Sequence, residues 1–292
     1  MSRGPLALVW RPDTGNPWFT KVKADMPVQD MNQIVGQYDL VWITLDTLRY
    51  DAAQQLFESG RLPGLARFLP PDGWELRHSP GSFTFAAHQA FFAGFLPTPA
   101  RPGRHPRPFA VAFAGSETST RTTCVFDTPD IVSGLAGRGY HTVCIGGVGF
   151  FNKTSPLGQV LPAMFAESHW EPGFAPTQAR SADRQVRRAL QCLQAQTGRT
   201  FLFLNISAIH APNRHYLPGL SEDTLQSHMA AMAYVDQALT PLFDALAKRG
   251  GAWVMICADH GTAYGEDGYY GHRLAHPVVW NVPYAEFLIP PA

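Results

Sequence analysis

The chain is organised by short uncharged apolar runs, separated by longer segments whose apolar residues recur at helical spacing. Residues 40–45 (LVWITL), 142–145 (TVCI), 201–206 (FLFLNI) and 253–257 (WVMIC) are too short for helices and almost wholly apolar. Such runs predict strands buried on both faces, with 287–289 a weaker candidate near the end. Leu225, Met229, Met232, Val235, Leu239, Leu242, Phe243 and Leu246 recur at three- and four-residue steps, which predicts a long helix packing this stripe on a sheet. A second helix is expected over 179–196, with Val186, Ala189, Leu190 and Leu193 inward and Arg184, Arg187 and Arg188 outward. Strands alternating with helices require parallel pairing through right-handed crossovers. The expected fold class is therefore α/β: a central, mostly parallel sheet with helices on both faces. With 292 residues and 45% hydrophobic content, one large domain spanning 1–292 is expected.

Charge and cysteine usage narrow the partners. Lys plus Arg and Asp plus Glu both number 23, so no net field draws in nucleic acid or anionic membranes, and neither is expected as a partner. The apolar run at the N-terminus is broken by Arg11, Pro12 and Asp13, unlike a signal peptide, and no uncharged stretch reaches transmembrane length. Cys124, Cys144, Cys192 and Cys257 are scattered, without the pairing of a zinc ribbon or a redox CxxC. Reduced thiols in the cytoplasm are expected, with Cys144 and Cys257 as plain core residues. The Pro-rich stretch 96–108 reads as an irregular surface loop.

Function is to be sought where the apolar runs end, because open α/β sheets collect ligands outside the carboxyl ends of their strands. VWITL runs into Asp46, FLFLNI runs on to His210 and His215, and WVMICA runs into Asp259 and His260. Carboxylates mixed with imidazoles suit zinc, manganese or a similar divalent ion. Asp46 has the alternative job of capping the helix that follows. Gly261 is placed to permit the tight turn that aims Asp259 and His260. His272 and His276 join the other histidines in the last third of the chain, some as ligands and others orienting ligands or touching substrate. Glu266 and Asp267 read as loop-capping residues.

These residues resemble a known family. VWITLDTLRYDA is similar to the first metal-binding strand of sulfatases and related phosphohydrolases of the alkaline phosphatase superfamily, and ICADHGTAYGEDGYYGH to the second. GSFTFAAHQAFFAGFLP resembles the nucleophile helix, its Thr-Phe-x-x-His start being closest to type I phosphodiesterases and nucleotide pyrophosphatases. The resemblance implies that Thr84 is the nucleophile, with Ser82 a nearby competitor, at a helix start that favours an anionic oxygen. It implies one cation held by Asp46, Thr84, Asp259 and His260, and a second bound or flanked by His210 and His272, with His215 a further candidate and His276 able to replace any of these. Arg49 and His88 are candidates to contact the transferred group, Arg49 alternatively pairing with Asp51.

Two departures shape the expected chemistry. The formylglycine sulfatases carry Cys or Ser in Cys-x-Pro-x-Arg, whereas Thr84 to His88 lacks the Pro and the Arg, so a formylglycine sulfatase is not expected. Asn205 stands where many two-metal relatives place an Asp of the second site, leaving one or two divalent ions, zinc or manganese, as the cofactor expectation. The expected reaction is hydrolysis of a small-molecule phosphate ester through a phosphothreonine. The alternatives are transfer or mutase chemistry at the same site, and a noncatalytic metal-binding protein.

Overall fold

The structure, a computed structural model, describes residues 31–93, 107–109, 123–125 and 130–292. The apolar run at the N-terminus and most of the Pro-rich stretch 96–108 lie outside the described residues, as does the side chain of Cys124.

Seven strands form the main sheet: β1 (Asp39–Leu45), β2 (Glu75–His78), β3 (His141–Ile145), β4 (Glu167–His169), β5 (Thr200–Ile206), β6 (Ala252–Cys257) and β7 (Asn281–Ile289). Their spatial order is β2-β7-β6-β1-β5-β3-β4. β1 lies between β5 and β6, parallel to both, with Thr44 opposite Asn205 on one side and Cys257 on the other. That register brings the residues that follow β1, β5 and β6 to one edge of the sheet. All seven residues of β1 and all seven of β5 are buried, as continuous apolar runs between two helical layers require.

Alternate side chains divide the core. Val41, Ile43 and Leu45 face one layer, made by α1 (Tyr50–Glu58), α4 (Ser181–Ala195) and α5 (Leu225–Lys248). Leu40 and Trp42 face the other, with α2 (Thr84–Ala93) and α3 (Ile131–Gly137). The expected α/β architecture with helices on both faces is what the chain forms. In α5 the inward stripe runs as expected from Met232 to Leu246. In the first turn, however, Ser227 and His228 are the fully buried residues, rather than Leu225. Thr224 and Ser227 cap each other's backbone N–H there, fixing the rotation of the helix start.

Two features differ from the sequence expectation. β7 begins at Asn281, well before 287–289, and pairs antiparallel with β6 and β2, because the link from β6 contains no long crossover helix. β2 and β4 are short strands on the two edges of the sheet; with exposed or half-exposed residues they lack the apolar runs that mark the central strands. Asp39, Arg249 and Thr200 lock the opposite end of the sheet: Asp39 Oδ1 accepts from the Thr200 N–H at 2.8 Å and Oδ2 from Arg249 Nε at 2.7 Å.

Phe203 sits at the centre of the second layer, with ring centroids 5.0 Å from Phe92, 5.6 Å from Phe151 and 5.8 Å from Phe165. Phe203→Ala is expected to lower the unfolding free energy by about 3–5 kcal/mol in chemical denaturation. A loss below about 1 kcal/mol would contradict this packing.

Candidate metal centre

Three strand ends and one helix start meet at the site. Asp46 follows β1, its N–H extending the ladder to the Ile206 carbonyl at 3.1 Å. The next residue, Thr47, takes φ +67°, a left-handed conformation that costs a β-branched residue roughly 1–3 kcal/mol. In that conformation the Thr47 N–H donates to Asp259 Oδ1 at 3.2 Å, and the His260 N–H donates to the same oxygen at 3.0 Å. Gly261 is required by close approach rather than by a positive φ: a Cβ there would lie 2.0 Å from the Val278 carbonyl oxygen.

The His260 ring is aimed by its own backbone. A carbonyl can only accept, so Nδ1 carries the proton and donates to the Gly261 carbonyl at 2.9 Å, leaving the lone pair of Nε2 facing the carboxylates. Donor atoms of Asp46, Asp259 and His260 lie within 4.8 Å of one another, and all three residues are 0% exposed. Asp46 Oδ1 and Asp259 Oδ2 are both buried without a hydrogen-bond partner. Two orphaned carboxylate oxygens beside an imidazole lone pair fit a divalent cation, whose charge would compensate both. Three of the four residues expected for the first ligand set are thus brought together.

Burial raises both carboxyl pKa values, and the charge of Asp259 raises that of Asp46 further. Burial lowers His260. Thr84, the first residue of α2, places Oγ1 3.4 Å from Asp46 Oδ2 and 3.4 Å from His260 Nε2.

Asn205 reaches Asp46 from β5. Its Oδ1 accepts from the Val148 N–H at 3.1 Å, which turns Nδ2 toward Asp46 Oδ2 at 3.0 Å and Thr44 Oγ1 at 3.3 Å. Thr44 Oγ1 in turn lies 3.1 Å from His88 Nε2, and His88 Nδ1–H donates to the Thr84 carbonyl at 2.7 Å. Asn205 therefore acts as a hydrogen-bond donor at the position where relatives with two metals are expected to have a carboxylate.

Other expected residues fall into different roles. His88 is 0% exposed, ringed by Phe91, Phe92, Phe151 and Phe203, and burial pushes it down to about 3. It supports the first turn of α2 from beneath and has no face open to substrate. Arg49, 3% exposed, binds Asp51 and Glu266 and so ties the end of β1 to the loop after β6. Of its two expected roles the geometry gives the pairing role; Glu266 is a second partner and also caps the loop as read from sequence, its Oε2 accepting from the Tyr264 N–H at 2.6 Å. His210 and His272 do come together, ring centroids 5.5 Å apart, with His272 4.7 Å from His260. Burial, then His260 and His210, push His272 down to about 3. His215 instead packs against Tyr216 in a tilted arrangement, ring centroids 4.2 Å apart, with Asp223 and Arg214 as its charged neighbours. His276 caps a one-turn helix: Nδ1 accepts from the Val278 N–H at 3.2 Å and Nε2–H donates to Asp267.

Sequence reasoning did not identify Arg273, whose charge acts on His260 and His272 and whose N–H donates to the Ser82 carbonyl at 2.9 Å. A basic residue next to His272 was the available signal. It also missed Ser79, whose hydroxyl donates to the Asp259 carbonyl and joins the approach to α2 to the strand end.

The sequence profile of the family described as Sulfatase matches residues 39–284. No curated protein matches in sequence. Among solved structures, the C-terminal periplasmic domain of phosphoethanolamine transferase EptC from Campylobacter jejuni is 13% identical, with a TM-score of 0.59 over 86% of this chain and 79% of that one. The corresponding domain of EptC from Escherichia coli, solved as a complex with zinc, is 11% identical (TM-score 0.56; 86% and 72% covered). A protein of the alkaline phosphatase superfamily from Vibrio parahaemolyticus is 20% identical (TM-score 0.56; 87% and 60% covered). At these identities the structural likeness establishes the fold.

The raised carboxyls set the sign of a pH dependence. Asp46 and Asp259 move from 3.8 to about 6 and about 7, so across that interval the folded metal-free chain binds more protons than the unfolded chain. This contribution is present in full below the unfolded value and is lost as pH rises through the folded values. The buried imidazoles titrate with the opposite sign, so the informative quantity is the difference between wild type and Asp46→Asn in chelator. The variant is expected to gain roughly 1–3 kcal/mol over wild type as pH rises from about 4 to about 7, and to keep that gain above it. A pH-independent difference in thermal unfolding would contradict the repulsion.

Proposed function

Because the chain belongs to the sulfatase family, within the alkaline phosphatase superfamily, we propose that it is a metal-dependent enzyme that processes a phosphate ester through a covalent intermediate on Thr84. The observation that carries this reading is the Thr84 hydroxyl at the start of α2, 3.4 Å from both Asp46 Oδ2 and His260 Nε2. A divalent cation bound by Asp46, Asp259 and His260 supplies Lewis acidity and lowers the pKa of an adjacent alcohol. Zinc or manganese suits this donor set, and the E. coli EptC domain carries zinc.

The chain's own groups account for the remaining steps. Thr84 Oγ1 loses its proton to Asp46 Oδ2, the acceptor it already faces, and attacks phosphorus. The bond from phosphorus to the leaving oxygen breaks as the phosphothreonine forms. The phosphoryl oxygens sit at the N-terminal end of α2, where the helix dipole favours negative charge. His210, with Nδ1 occupied by the Ala211 carbonyl at 2.6 Å, delivers a proton through Nε2 to the leaving oxygen and recovers one from the water that then attacks phosphorus; the bond from phosphorus to Oγ1 breaks, the proton held on Asp46 returns to Thr84, and phosphate leaves. His272 and Arg273 line the same mouth and favour an anionic small-molecule ester. We infer neither a nucleic acid nor a membrane as partner. A reducing cytoplasmic setting is supported by the free buried thiols of Cys144, Cys192 and Cys257. Among the described residues no helix is long and apolar enough to cross a membrane.

A second reading, transfer of the group from Thr84 to an alcohol, is favoured by the transferase names that the EptC domains carry. Product analysis with an added alcohol acceptor separates it from hydrolysis. For either reading, Thr84→Ala is expected to reduce turnover of p-nitrophenyl phosphate esters by at least about 10³-fold while metal content is retained. Mass spectrometry of the quenched wild type should show phosphate on Thr84. Unchanged turnover would move the nucleophile elsewhere, with Ser82 the first alternative.

A further inference from the structure

A second group of metal-ligand side chains lies on the outer edge of the sheet, away from the strand ends that carry Asp46 and Asp259. Glu167 and His169 are two apart on edge strand β4 and project to the same face, the face covered by α4. Cys192 reaches them from α4, and His141 from the start of neighbouring β3. Glu167 Oε1 lies 2.5 Å from His169 Nε2 and 3.3 Å from Cys192 Sγ, and the donor atoms of these three residues are all within 4.8 Å of one another. Glu167 Oε2 accepts from His141 Nε2 at 2.9 Å. The Glu167, His169 and His141 side chains are 30%, 27% and 31% exposed, so an ion has a path in from solvent, while Cys192 forms the buried floor.

We propose that Glu167, His169 and Cys192 form a second divalent-cation site, for zinc or another borderline-soft ion, with His141 orienting the carboxylate. One sulfur, one imidazole nitrogen and one carboxylate oxygen make a zinc-type donor set, with a fourth position for solvent. Bonds of about 2.0–2.3 Å in a tetrahedron separate ligand atoms by about 3.3–3.8 Å, so the present contacts need to open by only about 1 Å. On binding, the Cys192 thiol proton leaves to solvent and the proton on His169 Nε2 moves to Nδ1, freeing its lone pair. Glu167 is already ionised as the acceptor of both imidazoles. His141 keeps its hydrogen bond to Oε2, the usual carboxylate–histidine support with the order of the partners reversed. The ion would fasten a three-residue edge strand to α4, where few ladder hydrogen bonds hold it.

The thiol makes the test selective, because the centre at Asp46, Asp259 and His260 has no sulfur. Cobalt(II) titrated into the full chain should give a near-ultraviolet thiolate-to-cobalt band that saturates with one equivalent bound at this site. The band should persist in an Asp46→Asn/Asp259→Asn variant, vanish in folded Cys192→Ser, and require about 10–100-fold more cobalt in His141→Gln. X-ray absorption at the zinc edge of that double Asp variant, loaded with zinc, should show one sulfur in the first shell and needs no change at the new site. No band in folded wild type, a band unchanged by Cys192→Ser, or zinc without sulfur would overturn the proposal and leave a charge-paired surface cluster.

Discussion

Two carboxylates that repel each other in a dry place govern the rest of this molecule. Asp46 and Asp259 are fully buried at adjacent strand ends, and each keeps one oxygen without a hydrogen bond. Side chains and backbone satisfy the other oxygen of each: Asn205 and Thr84 on Asp46, the Thr47 and His260 amides on Asp259. This division leaves the unsatisfied pair beside the Nε2 lone pair of His260. An arrangement that penalises the bare protein is well suited to a cation, and it accounts for the left-handed Thr47 and for a Gly261 that tolerates no Cβ.

The scaffold transmits this constraint to Thr84, the proposed nucleophile. β1, β5 and β6 are parallel and in register, so their following residues converge without long loops. A buried chain from Asn205 through Thr44 and His88 to the Thr84 carbonyl fixes the first turn of α2 relative to Asp46. On the other side Arg49, Glu266, His228 and Tyr264 join the loop after β1 to the loop after β6: the Arg49 N–H donates to His228 Nε2 at 3.3 Å, and Tyr264 meets His228 Nδ1 at 3.1 Å. Both networks are polar and join residues distant in sequence, the first buried and the second partly so, which makes them specifiers of geometry more than sources of stability.

Legibility in the sequence followed the range of the interactions. The central strands were readable because burial on both faces forces continuous apolar runs, and Asp46, Asp259 and His260 because they end such runs. Thr84 came from resemblance, since a Thr beginning an apolar helix has no signature of its own. His88 reads toward substrate, and Arg49 reads either toward substrate or toward Asp51, because their other partners, Phe203 and Glu266 among them, are brought close only by the fold. The edge strands β2 and β4 were invisible because half-exposed strands do not alternate cleanly. β7 was shortened because Glu286 interrupts its apolar run. Arg273 became significant only when the loop after β6 folded over Ser82.

The buried trio is proposed to hold a cation against Thr84. Anomalous diffraction at the zinc edge, on crystals grown with zinc, tests it most directly. A peak bonded to Asp46 Oδ1, Asp259 Oδ2 and His260 Nε2 is expected, with Thr84 Oγ1 drawn into the same coordination shell. A zinc-loaded crystal with no peak among these three residues, or with one there and Thr84 turned away, would contradict it.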